Sequence, residues 1–201
     1  MTKFSFLFLI LLALNTQAAS FEDDIVSALL ERTTHNVTYD GAYLSIPYPN
    51  GDVPENIAVC TDVLIRSYRK LGTDFQKLVH EDMAANFDLY PSKRIWGLSR
   101  TDKNIDHRRV PNLQTFFKRH GEVLNISNTP KDYKTGDIVT WILPGNLPHI
   151  GVVIDRLSTE SGYPFIVHNM GRGPEIEDML FNYKITGHYR YVPEKYKTEQ
   201  Q

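Results

Sequence analysis

Asn56-Ile57-Ala58-Val59-Cys60-Thr61-Asp62-Val63-Leu64-Ile65-Arg66-Ser67-Tyr68-Arg69-Lys70-Leu71-Gly72 holds the only cysteine of the 201-residue chain. The stretch reads as one amphipathic helix closed by Gly72, with Val63, Leu64, Tyr68 and Leu71 on one face. Cys60 shares that face one turn earlier, at the helix N-terminus. Free backbone N–H groups and the positive end of the helix dipole favour a thiolate there. A lone cysteine on an apolar helix face is also a common small core residue. The rest of the chain has to separate these two readings.

Working outward toward the N-terminus, Tyr39 to Pro54 is rich in aromatic residues, proline and glycine. That composition predicts loop or short extended structure leading into the cysteine helix, with Tyr43 or Tyr48 placed to wall a cleft. Phe21 to Arg32 reads as a first helix with Ile25, Val26, Leu29 and Leu30 on one face. Residues 1–19 read as a secretory signal: Lys3, then an apolar run from Phe4 to Leu14 too short to span a membrane, then small residues around Ala18-Ala19. A periplasmic or secreted location follows as the expectation, with no stable membrane insertion after cleavage. An exported chain normally carries cysteines in pairs. A single one leaves an intermolecular bridge, an inert thiol or a nucleophile, and excludes a cysteine-rich zinc site.

Charge excludes further classes. The whole chain has 22 basic and 24 acidic residues and a formal charge of −2, with no basic run. Nucleic acid is not an expected partner. No cofactor or metal is expected. Zinc held by Cys60, His149 and His168 is the competing reading of the same residue types.

On the C-terminal side, Asp74 caps a helix running to about Asn86, and Pro111 opens another ending near His120. Asp88 to Arg109 between them lacks a period, and Arg108 and Arg109 there are suited to grip a carboxylate. From Glu122 the period becomes that of strands: Val123–Ile126, Gly136–Leu143, His149–Asp155, Tyr163–Asn169 and Gly187–Val192. Pro144–Pro148 reads as a loop and Glu175–Leu180 as irregular or a short helix. Helices first and strands second predict an α+β fold with an antiparallel sheet, over residues 20–196, followed by a polar tail at 197–201.

A hairpin centred between Ser158 and Thr159 would set His149 opposite His168, with Cβ atoms about 5 Å apart. One imidazole could then orient the other. Cys60, His149 and His168 would form nucleophile, base and orienter for attack on an acyl carbon.

The runs Gly136-Asp137-Ile138-Val139, His149-Ile150-Gly151-Val152-Val153-Ile154-Asp155 and Phe165-Ile166-Val167-His168 resemble the NlpC/P60 signature. Ala58-Val59-Cys60-Thr61-Asp62 resembles its cysteine-bearing helix start. Val59-Cys60-Thr61-Asp62, Ile105 to Asn112 and His168 to Pro174 resemble a bacterial family known as a domain of unknown function (family 1287). The resemblance implies a papain-like α+β fold and a cysteine peptidase or amidase. Its nucleophile would be Cys60, its base His149 and its orienter His168. It also implies peptidoglycan stem peptides as the partner, with Tyr48, Asp62, Arg108, Arg109, Asn169 and Arg172 as candidate substrate contacts. The chain departs from the NlpC/P60 pattern around Cys60, where Val59 stands in place of Asp and Thr61-Asp62 in place of Ser-Gly. A catalytically silent wall-binding module and a thiol acyltransferase are the competing readings on the same scaffold. His107, His120 and His188 read as surface or structural.

Overall fold

A computed structural model describes residues 20–197 of the chain. The signal reading at residues 1–19 and most of the polar tail lie outside the described residues. Helix α1 spans Phe21–Arg32, started by Ser20, whose hydroxyl accepts the Asp23 N–H at 3.1 Å. Strand β1, Thr38–Tyr39, pairs in parallel with β2, Ile57–Ala58. Helix α2 is Cys60–Lys70, so Asn56 to Val59 is non-helical and Cys60 is the first helical residue. Gly72 ends it in the left-handed region, φ +83°, where a side chain would be strained. Helix α3 is Phe75–Ala85, with Asp74 accepting the Gln76 N–H at 3.0 Å. The stretch expected to be irregular holds a short helix, α4 at Ser92–Trp96, and one-turn 3₁₀ segments at Phe87–Leu89 and Asp106–Arg108. Helix α5, Val110–His120, starts one residue ahead of Pro111. None of the described helices is long and apolar enough to cross a membrane.

Strands β3 (Glu122–Val123), β4 (Ile138–Leu143), β5 (Leu147–Leu157), β6 (Pro164–His168), β7 (Glu175–Glu177) and β8 (Lys184–Arg190) form one antiparallel sheet. Their order across it is β3-β8-β4-β5-β6-β7. This is the expected α+β arrangement, with the cysteine helix packed on an antiparallel sheet. Strand β7 corrects the reading of that segment as irregular. A three-residue turn, Pro144–Asn146, joins β4 to β5 in place of the longer loop expected there.

Alternation along the strands divides the core in two. Ile138, Ile150, Val152, Ile154 and Val167 face α1, α2 and α5. Val139, Trp141, Val153 and Ile166 face the other way, under Tyr133, Met179 and Leu180. On the helical side Tyr68, Phe75, Phe116, Phe117 and Tyr191 pack ring on ring, 4.8–6.0 Å between centroids. Burying each such ring contributes roughly 1.5–3 kcal/mol. The Gly136-Asp137 turn is a clasp: the Asp137 carboxylate takes His188 Nε2 at 2.8 Å and Arg190 Nη2 at 2.6 Å. It thereby ties β4 to β8.

The β5–β6 register differs from the expected one by two residues. Gly151, not His149, lies opposite His168, and Val152 lies opposite Val167. The turn extends further than expected because the Ser158 hydroxyl accepts the Glu160 and Ser161 N–H groups, and Ser158 N–H closes the loop on Tyr163 O at 2.8 Å. A shift of two preserves the face, so the histidines still share a side.

Candidate active site

Cys60 is set by what precedes it. The β1–β2 ribbon lays Tyr39 beside Ala58, two residues before the cysteine. The Val59 N–H donates to Asp62 Oδ2 at 2.7 Å, closing the first turn of α2. Cys60 and Thr61 are its first helical residues, whose N–H groups have no carbonyl one turn back. The residue is only 6% exposed.

The sulfur is not walled in by hydrocarbon alone. The Tyr39 hydroxyl and the peptide N–H groups of Ile150 and Thr61 lie against it. Val153 N–H donates to Asp137 O toward β4, so alternation turns the Ile150 N–H toward β6. Pairing with β6 has ended by then, at Gly151–His168. The N–H that lies against the sulfur is thus one that β6 leaves unpaired, one residue along β5 from His149.

His149 and His168 project on the side of the sheet that carries Trp141 and Ile166. Their rings meet edge to face, centroids 5.1 Å apart at 87°, with His149 Nε2 3.1 Å from His168 Nδ1. They touch diagonally because Gly151 stands between. A Cβ at 151 would come 2.6 Å from Ile166 Cγ2 and 3.1 Å from His168 Cβ. His168 Nε2 lies 2.9 Å from Glu177 Oε2. Among the described residues no hydrogen bond joins Cys60 to His149.

Protonation runs against the expected thiolate. Burial pushes the Cys60 thiol up to about 11, and the Asp62 charge adds to the rise. The Tyr39 hydroxyl and the two N–H groups only partly offset it. A helix terminus contributes about 0.3–2 kcal/mol, less than full desolvation takes away. Burial, and then His168, hold His149 down at about 3. His168 is also lowered by burial, against the pull of Glu177 and Glu175. The thiol and both imidazoles thus rest neutral.

The expected substrate contacts divide. Asp62 and Arg108 are buried on each other, with Nε–Oδ1 at 2.9 Å and Nη2–Oδ2 at 2.8 Å. They brace the start of α2 and are not free to read a ligand. Arg109 pairs with Asp106 at 3.1 Å and lies 4.3 Å over the Trp96 ring. Tyr48 packs edge-on to His80, 5.1 Å between centroids. Asn169 is buried, and its carbonyl oxygen accepts the Gly171 and Gly173 N–H groups. Its side-chain N–H group has no partner among the described residues. Arg172 is exposed and paired with Glu175 at 2.9 Å. His107 and His188 are buried and structural, and His120 sits on Asp82 at 3.0 Å.

The residues that sequence reasoning missed are Tyr39, whose ribbon is only two residues long, and Glu177, on the strand read as irregular. His168, Glu175 and Glu177 place ligand atoms within 4.8 Å of one another, as a divalent metal would need. His168 hydrogen-bonds Glu177 and Arg172 pairs with Glu175, so both carboxylates already have partners.

Residues 26–191 match a family described as "Domain of unknown function (DUF1287)". The uncharacterized protein YijF of Escherichia coli (strain K12) is 54% identical over 153 residues, 76% of this chain and 73% of that one. Among solved structures, NlpC1 from Trichomonas vaginalis is similar at 15% identity and a TM-score of 0.46, over 89% of this chain. This chain spans 47% of that protein's length. An N-acetylmuramoyl-L-alanine amidase from Bacteroides uniformis ATCC 8492 is similar at 14% identity and a TM-score of 0.45, over 84% of this chain and 96% of the other.

Proposed function

The chain belongs to the DUF1287 family, and from that premise we propose that it is an exported cysteine hydrolase of peptide or amide bonds. Cys60 is its nucleophile, His149 its base and His168 the group that orients the base. What supports this is the Ile150 N–H against the sulfur, one residue along β5 from His149, whose ring meets that of His168 at 3.1 Å. The motif resemblance around His149, Gly151 and His168 supports peptidoglycan stem peptides as the substrate class. The signal-like N-terminus supports export.

The chemistry follows from a neutral resting pair. The sulfur attacks the acyl carbon as its proton passes to His149. The N–H groups at the start of α2 are the donors suited to the oxyanion. Collapse breaks the carbon–nitrogen bond, and His149 returns the proton to the leaving amine. Water then cleaves the thioester, with His149 taking a proton from the water and restoring it to the sulfur.

The buried neutral thiol is also what a silent binding module on the same scaffold would show. Mass spectrometry of purified muropeptides incubated with wild type and Cys60→Ala separates the two. Hydrolysis by wild type, reduced about 10³-fold or more in Cys60→Ala, is the result expected. Transfer of the acyl group to an amine in place of water would identify an acyltransferase. Binding retained by both proteins with no turnover by either would overturn the hydrolase.

A further inference from the structure

We infer that Glu177 is a positioning residue that fixes the tautomers of both histidines and so leaves His149 Nδ1 as the proton acceptor. This rests on the hydrolase reading for its function, though not for its geometry. In the β6–β7 pairing, His168 lies opposite Glu175 and Ile166 opposite Glu177. Both carboxylates therefore stand on the face that carries His168. Arg172 occupies Glu175, and Glu177 is left to meet His168 Nε2 at 2.9 Å.

A carboxylate accepts and does not donate, so His168 carries its hydrogen on Nε2. A neutral imidazole with Nε2–H has its lone pair on Nδ1. That atom is 3.1 Å from His149 Nε2, which must then be the donor. His149 is left with its lone pair on Nδ1, an atom without a hydrogen-bond partner among the described residues. Both rings are neutral because both are buried.

Without Glu177 the contact between the rings has two equivalent directions. In the reversed one, His168 Nδ1–H donates to His149 Nε2, and the hydrogen of His149 moves to Nδ1. A nitrogen that already bears a hydrogen cannot take the thiol proton. Glu177 removes that degeneracy from the edge strand, through its contact with His168.

Long-range proton–nitrogen NMR of the histidine rings in the full chain tests the assignment directly. In wild type both His149 and His168 should appear as the Nε2–H tautomer. In Glu177→Ala each should become a mixture, with kcat on a muropeptide down roughly 10–100-fold and KM within about two-fold. Glu177→Gln, whose amide oxygen can accept the same hydrogen, should restore the wild-type tautomers and most of kcat. An Nδ1–H tautomer at His149 in wild type would overturn the inference, as would tautomers unmoved in Glu177→Ala. Tautomers that respond as expected in a protein with no turnover would support the relay and overturn only the hydrolase reading.

Discussion

At the residue scale, Cys60 is a thiol that burial holds neutral. A group pushed to about 11 is ionised to about one part in ten thousand at pH 7. Iodoacetamide should therefore label Cys60 roughly 100-fold or more slowly at pH 7 than it labels free cysteine. The rate should climb as pH rises from 9 toward 11. Labelling as fast as free cysteine at pH 7 would contradict the assignment of burial as the dominant effect. Tyr39 supplies the next test. Its hydroxyl lies against the sulfur and favours the thiolate, so Tyr39→Phe should move the labelling profile up by about one pH unit. A profile that does not move would remove Tyr39 from the site. The sequence made Cys60 conspicuous by its solitude and its helix start. It did not make Tyr39 conspicuous, because a two-residue parallel ribbon has no period to read. Tyr43 and Tyr48, in the Pro- and Gly-rich loop, drew the attention instead.

At the element scale the start of α2 is held by the Asp62–Arg108 pair. Both side chains are under 5% exposed. Removing one partner strands the other charge in the interior. Arg108→Ala should cost about 3–5 kcal/mol in denaturant unfolding. A loss below about 1 kcal/mol would mean that water reaches Asp62 freely. Arg108 reads as a ligand grip in the sequence because charge alone does not distinguish a surface arginine from one paired 46 positions away. The β5–β6 hairpin carries a second test. Gly151→Ala drives a methyl into Ile166 and His168. It should cost about 1–3 kcal/mol and separate the two histidine rings, with activity falling further than stability. A fully active, fully stable Gly151→Ala would show that the rings do not need this spacing. Here the sequence carried the face of each histidine but not the rung. Alternation survives a shift of two, whereas the rung depended on a turn that Ser158 extends.

At the scale of the whole molecule, buried imidazoles set the response to acid. His149 and His107 are both held down at about 3, in each case chiefly by burial. A group lowered in the folded state contributes stability that is present above its unfolded value, near 6.5. That stability is lost as pH falls through its folded value. Stability should accordingly drop between pH 6.5 and 3, by on the order of a few kcal/mol for each buried histidine, and the melting temperature should fall with it. His107→Phe, which removes a buried ring nitrogen that has no partner among the described residues, should flatten part of that slope. A melting temperature constant from pH 7 to 4 would contradict the burial of both rings. Cys60, raised in the folded state, acts in the opposite direction: its contribution is present below about 9 and lost as pH rises through about 11. The order of helices and strands made the α+β class legible, because each segment kept its own period. The two-sided core was less legible, since Met179 and Leu180 reach the sheet from a segment without regular period.

The most direct test of the central claim is the mass of the Cys60 peptide after brief incubation of the protein with muropeptides and quenching in acid. This peptide should gain the mass of an acyl fragment through a thioester, and His149→Ala, still folded, should form no such adduct. Muropeptide cleavage with Cys60 unmodified throughout, and persisting in Cys60→Ala, would contradict it.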